Sequence, residues 1–230
     1  MTALSQLNHP NLVFIHYWPY QGGKFFANCL AHHDSVMPQL NQHQKCQPSC
    51  KLKYVHDSLP PFDHINQWVK YELGCRGFWG VNLHDIMNRD LAPHADAIKM
   101  LDHYKCFLIN HCCHPDFIRK LQTDLPHAFH IVLTNGQRFL ELAVKLKQPG
   151  ASTTEWLERN HMDPLAYLQS PVYTYSGPGL FVVDVDSVYF DRSAVRRQVQ
   201  KCLKEMGLSI DLDPCLEDFI DRYFDLHGID

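Results

Sequence analysis

One stretch near the start of the chain decides the expected fold: Asn11-Leu-Val-Phe-Ile-His-Tyr-Trp-Pro-Tyr-Gln-Gly-Gly-Lys-Phe-Phe-Ala-Asn28. Its first eight residues are mostly β-branched, aromatic or aliphatic and end before Pro19, a pattern that predicts a buried strand. The paired glycines Gly22 and Gly23 indicate a tight turn. From Lys24 to about His33 the apolar residues recur at helical spacing. The stretch therefore predicts a strand, a glycine turn and a helix.

The same alternation of short apolar runs and amphipathic segments continues along the chain. Further strands are predicted at 104–109, 128–133 and 180–185, with a short one at 51–55. Helices are predicted over 62–73, from Pro115 onward, over 136–147, from Val195 to Met206, and after Asp213-Pro214. This alternation is typical of a three-layer α/β/α protein with a mainly parallel sheet. We expect a single domain over residues 1–230, with a less regular insertion around 38–60 and an irregular section over 150–178.

Length and composition limit the classes of function. The chain has 230 residues, of which 45% are hydrophobic, enough for one well-packed core. A net charge of -4 without a basic block argues against a nucleic-acid partner. The longest apolar runs, such as Gly179 to Val185, fall far below the roughly 20 residues of a membrane helix, so no membrane association is expected. The odd number of scattered cysteines, nine, fits a reducing compartment and predicts a cytoplasmic protein.

The residues that follow each strand are the first place to look for function, because the carboxyl ends of parallel strands meet at one edge of a sheet. Three such segments carry polar or glycine residues: Tyr20 to Asn28, Asn110 to Pro115, and Thr134 to Arg138. Paired glycines at the amino end of a helix let backbone N–H groups converge on an anion, and Lys24 adds positive charge. The first segment is therefore a candidate phosphate site, although glycine pairs also occur in ordinary turns.

A metal-bound nucleoside triphosphate fits this segment poorly. The nucleotide-triphosphatase loop needs an earlier glycine and a Ser or Thr after its lysine, and Trp18 and Phe25 occupy those places. Zinc is also disfavoured, because Cys46 and Cys50 supply the spacing of only one ligand pair. We therefore expect no metal site.

The remaining polar and aromatic residues have plainer interpretations. The adjacent Cys112 and Cys113 are expected to pack in the core. Tyr17 and Trp18 either line a substrate pocket or pack in the core. Most of the 16 histidines are expected on the surface or in local hydrogen bonds, His32, His33, His103, His127 and His130 among them. Arg196 and Arg197 are expected on a solvated helix face.

The order of these segments resembles a known family. A glycine loop, then a strand ending in His111 with a proline-started helix, then a strand that runs Ile-Val-Leu into a polar turn is similar to the sulfotransferases that use 3′-phosphoadenosine 5′-phosphosulfate. The similarity is greatest to the divergent members from bacteria and phages, through the Gly-Gly-Lys-Phe loop, the segment Trp68-Val-Lys-Tyr-Glu72 and the Leu-Thr-Asn turn. The resemblance implies a fold like that of the P-loop nucleoside triphosphate hydrolases, of the sulfotransferase type, and a donor that binds without a metal.

The resemblance also implies a set of site residues. Around the 5′-phosphosulfate of the donor it places Gln21, Gly22, Gly23, Lys24, Phe25 and Phe26. It makes His111 the general base on the acceptor and Lys24 the catalytic cation. Asn135 stands where the family has the arginine that grips the 3′-phosphate, Ala143 stands where its partner serine would be, and Arg138, Lys145 or Lys147 would compensate.

The expected function is thus transfer of a sulfuryl group from 3′-phosphoadenosine 5′-phosphosulfate to a hydroxyl or amine of a small-molecule or glycan acceptor. Two other interpretations stay open on the residues alone. One is a P-loop phosphotransferase that uses ATP, and the other is a non-catalytic binding protein on the same fold.

Overall fold

A parallel β-sheet lies at the centre of the protein. The computed structural model describes residues 8–18, 22–30, 32–33, 35–36, 99–103, 105–110, 113–147, 149–159, 175, 177–211, 214–227 and 229. Its strands in these ranges are β1 (Leu12–His16), β2 (Cys106–Asn110), β3 (Phe129–Thr134) and β4 (Leu180–Asp184). They lie side by side in the order β2-β1-β3-β4, and all three pairings are parallel.

Seven α-helices and one 3₁₀ turn accompany these strands in the described part of the chain. The helices are α1 (Gly23–Leu30), α2 (Pro115–Asp124), α3 (Gln137–Lys147), α4 (Thr153–Arg159), α5 (Val185–Val188), α6 (Arg192–Glu205) and α7 (Pro214–His227), and the 3₁₀ turn is Lys99–Asp102. The predicted strands at 11–18, 104–109, 128–133 and 180–185 and the helices that follow them are confirmed. The strand at 51–55, the helix over 62–73 and the insertion around 38–60 lie outside the described residues.

Helices cover both faces of the sheet. Successive side chains of a strand point to opposite faces, and apolar side chains on each face pack against helices. Val13 and Ile15 of β1 belong to the main core, together with buried residues of α1, α6 and α7. On the opposite face, Val132 of β3 packs against Ile118 of α2 and against Cys113. The α/β class, the parallel sheet and the three layers are therefore confirmed.

The end of β4 differs slightly from the prediction. The expected strand continued to Val185, whereas the observed strand ends at Asp184 and α5 begins at once. The side chain of Asp184 accepts a hydrogen bond from the backbone N–H of Ser187 at 3.0 Å, which makes Asp184 the N-cap of this short helix. This cap brings the chain back toward the site described below.

The section 150–178 was expected to be irregular, and this was wrong for its first part, which forms α4. Ser152 and Glu155 cap that helix reciprocally: the N–H of Glu155 donates to the Ser152 hydroxyl at 3.2 Å, and the N–H of Ser152 donates to the Glu155 carboxylate at 3.1 Å. This is a capping box, and its spacing was visible in Ser152-Thr-Thr-Glu155.

Helix α3 is buried on two sides. Phe139 joins the main core. Leu140 and Val144 lie on a second face and form a separate buried cluster with Trp156 of α4. Docking of α4 therefore gives α3 its second apolar face. Within the described ranges no helix combines the length and the apolar character that crossing a membrane would require.

Candidate functional site

The order of the strands predicts a crevice at the carboxyl ends of β1 and β3. The chain leaves β1 toward β2 on one side, and it leaves β3 toward β4 on the other side. In open parallel sheets, two neighbouring strands whose connections diverge in this way leave a crevice outside their carboxyl ends, where ligands bind. The glycine turn follows β1 and the Asn135–Arg138 segment follows β3, so both predicted binding segments border this crevice.

The two glycines allow two aromatic rings to approach the backbone of the turn. Gly22 has a positive φ of 69°. A Cβ at Gly22 would lie 2.3 Å from the ring of Tyr189, and a Cβ at Gly23 would lie 2.0 Å from the ring of Tyr17. The Tyr189 hydroxyl also donates a hydrogen bond to the carbonyl of Gly22 at 3.1 Å. Packing alone thus requires both glycines, and it holds the turn in one conformation.

The segments after three strands meet at this turn. Gly22 follows β1, Phe139 lies in the first turn of α3 after β3, and Tyr189 follows α5 after β4. A Cβ at Gly22 would lie 3.1 Å from the Phe139 ring. The rings of Phe139 and Tyr189 pack edge to face with centroids 5.4 Å apart. The segments after β1 and β3, two of the three that were predicted to converge, therefore meet here, and the segment after β4, which was not predicted, joins them.

The amino end of α1 faces this meeting point from the β1 side. The helix starts at Gly23, directly after the turn. Its first N–H groups have no acceptor within the helix, and the helix dipole makes this end positive. The backbone here can hold an anion, such as a phosphate or a phosphosulfate.

Phe25 and Phe26 contribute to the core and not to a binding surface. Both side chains are buried, and the Phe25 ring stacks on the Tyr223 ring of α7 with centroids 3.6 Å apart. Since both side chains are buried, only the backbone of these two residues is open to the predicted contact with a donor. Gln21, His111 and the side chain of Lys24 lie outside the described part of the structure. Lys24 itself is in the first turn of α1.

The turn after β3 is closed by carboxylates of the segment after β4. Asn135 has a φ of 53°, and its side-chain amide donates to Asp184 at 2.8 Å. The Asp186 carboxylate accepts hydrogen bonds from the backbone N–H of Arg138 at 2.9 Å and of Phe139 at 3.0 Å. The N–H of Asp186 in turn donates to the carbonyl of Asn135 at 3.1 Å. Asp186 therefore caps α3 three residues beyond Asn135, the position at which the resemblance has the arginine for the 3′-phosphate.

The environment of Asp186 is mixed in charge. Burial raises the pKa of this carboxyl, the two backbone N–H donors lower it, and the neighbouring Asp184 raises it further, so that the pKa lies above its ordinary value. The Arg138 guanidinium lies 3.8 Å above the centroid of the Phe190 ring. Sequence reasoning missed both aspartates, although Asp184-Val-Asp186 ends a strand at the edge of the sheet where function was sought.

Several other predicted residues have clear places. Cys113 is buried, as expected, and its thiol lies 3.7 Å from the carbonyl oxygen of Leu133. Tyr17 is buried in the main core, which supports the packing interpretation. His114 is exposed at the N-cap position of α2 and makes no side-chain cap hydrogen bond. Among the residues that the structure describes, no three His, Cys, Asp or Glu side chains come together as a set of metal ligands.

Three surface predictions were wrong. His130 is buried, and its Nδ1 lies 3.0 Å from Nε2 of His16 on the neighbouring strand. His32 is buried against Phe219. Arg196 is mostly covered and forms ion pairs with Glu217 and Asp221 of α7. In each case the contacting residue is distant in sequence, so the polarity of the residues nearby in the chain did not reveal that the side chain is covered.

Comparisons with known proteins give one structural likeness. No protein-family model and no curated protein matches the sequence. A solved structure with a similar chain path is the sulfotransferase from Alicyclobacillus acidocaldarius, which is 14% identical, has a TM-score of 0.44, and aligns over 95% of this chain and 96% of its own. This degree of similarity gives no residue of the present chain a role.

Proposed function

We propose that this protein is a sulfotransferase-like enzyme that transfers a sulfuryl group from a nucleotide 5′-phosphosulfate to a hydroxyl or amine of a small-molecule or glycan acceptor. The observation that carries the proposal is the strand, glycine turn and helix at the crevice between β1 and β3. The sequence resemblance implies the donor class, with 3′-phosphoadenosine 5′-phosphosulfate as its usual member.

The 5′ end of such a donor fits the residues of the turn. The positive end of α1 and its first-turn N–H groups suit a phosphate or sulfate oxygen. Tyr189 holds the Gly22 carbonyl by a hydrogen bond of 3.1 Å, so the peptide that carries the Gly23 N–H is fixed before the ligand arrives. Phe25 stands where a magnesium-binding loop has Ser or Thr, which favours a phosphosulfate over a magnesium-bound triphosphate.

The proposed reaction is an in-line displacement at sulfur. The acceptor oxygen or nitrogen forms a bond to sulfur, the bond from sulfur to the bridging oxygen breaks, and the nucleotide 5′-phosphate leaves. His111 takes the acceptor proton, and Lys24 with the α1 amides stabilises the negative charge that develops on the leaving oxygen. Lys24 and His111 are therefore the proposed catalytic residues.

The first test measures nucleotide release from a phosphosulfate donor in the presence of phenol and amine acceptors. We expect Lys24→Ala and His111→Ala to lower kcat by roughly 100-fold each, since a positioned base or an electrostatic stabiliser contributes on the order of 10²-fold or more. Lys204→Ala and His127→Ala are matched controls, because both side chains are exposed away from the crevice, and should keep the parent rate.

The same preparations separate the competing functions by thermal shift. A ligand that binds only the folded protein raises its stability by RT ln(1 + [L]/Kd). Stabilisation by ATP with Mg²⁺ together with ATP hydrolysis, and none by an adenosine phosphosulfate, would replace the proposal with a phosphotransferase. No shift with any nucleotide would favour a non-catalytic binding protein, and an unchanged rate in His111→Ala would remove the base from the mechanism.

A further inference from the structure

We propose that the site holds its donor by the 5′ group alone and excludes a 3′-phosphate from the turn between β3 and α3. The preferred donor would then be a nucleotide phosphosulfate with a free 3′ hydroxyl, such as adenosine 5′-phosphosulfate. This inference rests on the proposed function, because it concerns the same nucleotide site. Three observations at the start of α3 carry it.

The first observation is that the hydrogen-bond donors at this helix end are already used. The backbone N–H groups of Arg138 and Phe139 both donate to the Asp186 carboxylate, at 2.9 and 3.0 Å. A phosphate at this place would have to displace that carboxylate from both bonds. The backbone of Asp186 is also held in place, because its own N–H donates a hydrogen bond to the Asn135 carbonyl at 3.1 Å.

The second observation is the sign of the local charge. Asp184 lies beside Asp186, and its carboxylate accepts from the Asn135 side chain at 2.8 Å and from the N–H of Ser187 at 3.0 Å. These bonds prevent either carboxylate from turning away without losing partners. A phosphate dianion at Asn135 would meet two fixed carboxylates.

The third observation concerns the cation at this turn. The backbone of Arg138 gives its N–H to Asp186, and its guanidinium stacks on the Phe190 ring at 3.8 Å. Among the described side chains of this turn, the Arg138 guanidinium and the carboxylates of Asp184 and Asp186 sum to a net negative charge. Arg138 therefore does not replace the arginine that the family has at the position of Asn135, and the expectation that it compensates does not fit the geometry.

The test compares two nucleotides by titration calorimetry with the intact protein. Adenosine 5′-phosphate is the product of the proposed donor, and adenosine 3′,5′-bisphosphate is the product of the 3′-phosphorylated one. We expect the bisphosphate to bind no more tightly than the monophosphate. A bisphosphate that binds tenfold more tightly or better would overturn this inference and leave the proposed function standing. Binding of neither nucleotide would overturn both.

Variants test whether the Asp186 carboxylate is what excludes a 3′-phosphate. Asp186→Asn removes the charge and keeps an oxygen acceptor for one N–H, so we expect the bisphosphate to gain about tenfold in affinity relative to the monophosphate, the order expected for loss of one close like charge. Asp184→Asn should act in the same direction and serves where Asp186→Asn unfolds. Asp211→Asn, at an exposed position outside the crevice, is the control. A ratio of affinities that stays unchanged in both variants would contradict the proposal.

Discussion

At the scale of single residues, the glycine pair shows how one pattern can serve two purposes. Gly22 and Gly23 resemble a phosphate loop in the sequence, and the structure gives each a neighbouring ring that a side chain would strike. Close packing requires these glycines whether or not an anion binds. The rings of Tyr17 and Tyr189 that require them also hold the turn in place, so the packing and the proposed site are parts of one arrangement.

Gly23→Ala tests this packing role. Alanine in the first turn of a helix is ordinarily more favourable than glycine, but here the new Cβ would lie 2.0 Å from the Tyr17 ring. We expect the free energy of unfolding in urea to fall by about 1–3 kcal/mol, the usual cost of overpacking a core.

Gly207→Ala is the matched control for this change. Gly207 has a φ of 74°, and a Cβ at this position would have no neighbouring atom within 4 Å, so its substitution should cost only backbone strain of about 1 kcal/mol. A Gly23→Ala protein as stable as the parent would show that the Tyr17 ring moves aside freely and that packing does not demand the glycine.

At the scale of elements, helix α4 is stabilised by its N-terminal capping box and by packing against α3. Ser152 and Glu155 satisfy backbone N–H groups at the start of the helix. Trp156 and Leu157 then pack against Leu140 and Val144 of α3. A helix of seven residues is too short to be stable alone, so its burial against α3 supplies the stability that its length does not.

Ser152→Ala removes half of the capping box. We expect the free energy of unfolding to fall by about 1 kcal/mol, the typical loss when an N-cap serine becomes alanine. Equilibrium urea denaturation followed by tryptophan fluorescence is suited to the measurement, because Trp156 lies in the capped helix.

Ser193→Ala is the control for the serine hydroxyl. Ser193 lies in the first turn of α6, whose N-cap is Asp191, so its substitution should change stability by less than about 0.5 kcal/mol. Equal losses in both variants would indicate that the Ser152 hydroxyl does not cap α4.

At the scale of the whole molecule, the buried pair of His16 and His130 joins the two central strands. Nε2 of His16 lies 3.0 Å from Nδ1 of His130, and the His130 ring stacks on Phe14 with centroids 5.1 Å apart. Burial lowers the pKa of His130 from 6.5 to about 4. This pair makes the stability of the fold depend on mild acid.

The sign of that dependence follows from proton uptake. Above pH 6.5 the His130 side chain is neutral in both the folded and the unfolded protein, so it adds no pH dependence to the free energy of unfolding. Between pH 6.5 and about 4 the unfolded chain binds a proton that the folded protein refuses, so stability falls as the pH falls, with the full loss present below about pH 4. By pH 5 the loss is about 2 kcal/mol, at 1.36 kcal/mol for each pH unit below 6.5.

His130→Phe should remove this part of the pH dependence. It keeps an aromatic ring beside Phe14 but removes the hydrogen bond between His16 and His130, so the variant should be less stable than the parent at pH 7.5 and closer to it at pH 5. Urea unfolding at both values measures the change, with the exposed His127→Gln as the control. Parallel stability curves for parent and His130→Phe would contradict the assignment.

The sequence predicted strands and helices well because their signals are local. The apolar run before Pro19, the proline at Pro115 and the glycine at Gly207 each mark a boundary through the chemistry of one or a few residues. The edge of the sheet that holds the candidate site was predictable for the same reason, since residues after parallel strands gather at one edge. Its chemistry was not, because Asp186 reaches Phe139 across 47 positions in the chain.

The layered α/β fold and the sheet edge where the segments after the strands gather follow from the sequence, since apolar periodicity and the order of elements can be read along the chain. The strand order, which places the crevice at β1 and β3, came from the tertiary structure. Only the tertiary structure decided which amino ends of helices stay open at that crevice. The start of α3 is closed by a carboxylate that arrives from the segment after β4. Contacts of this kind depend on which distant segments are brought together, and no local pattern of residues specifies them.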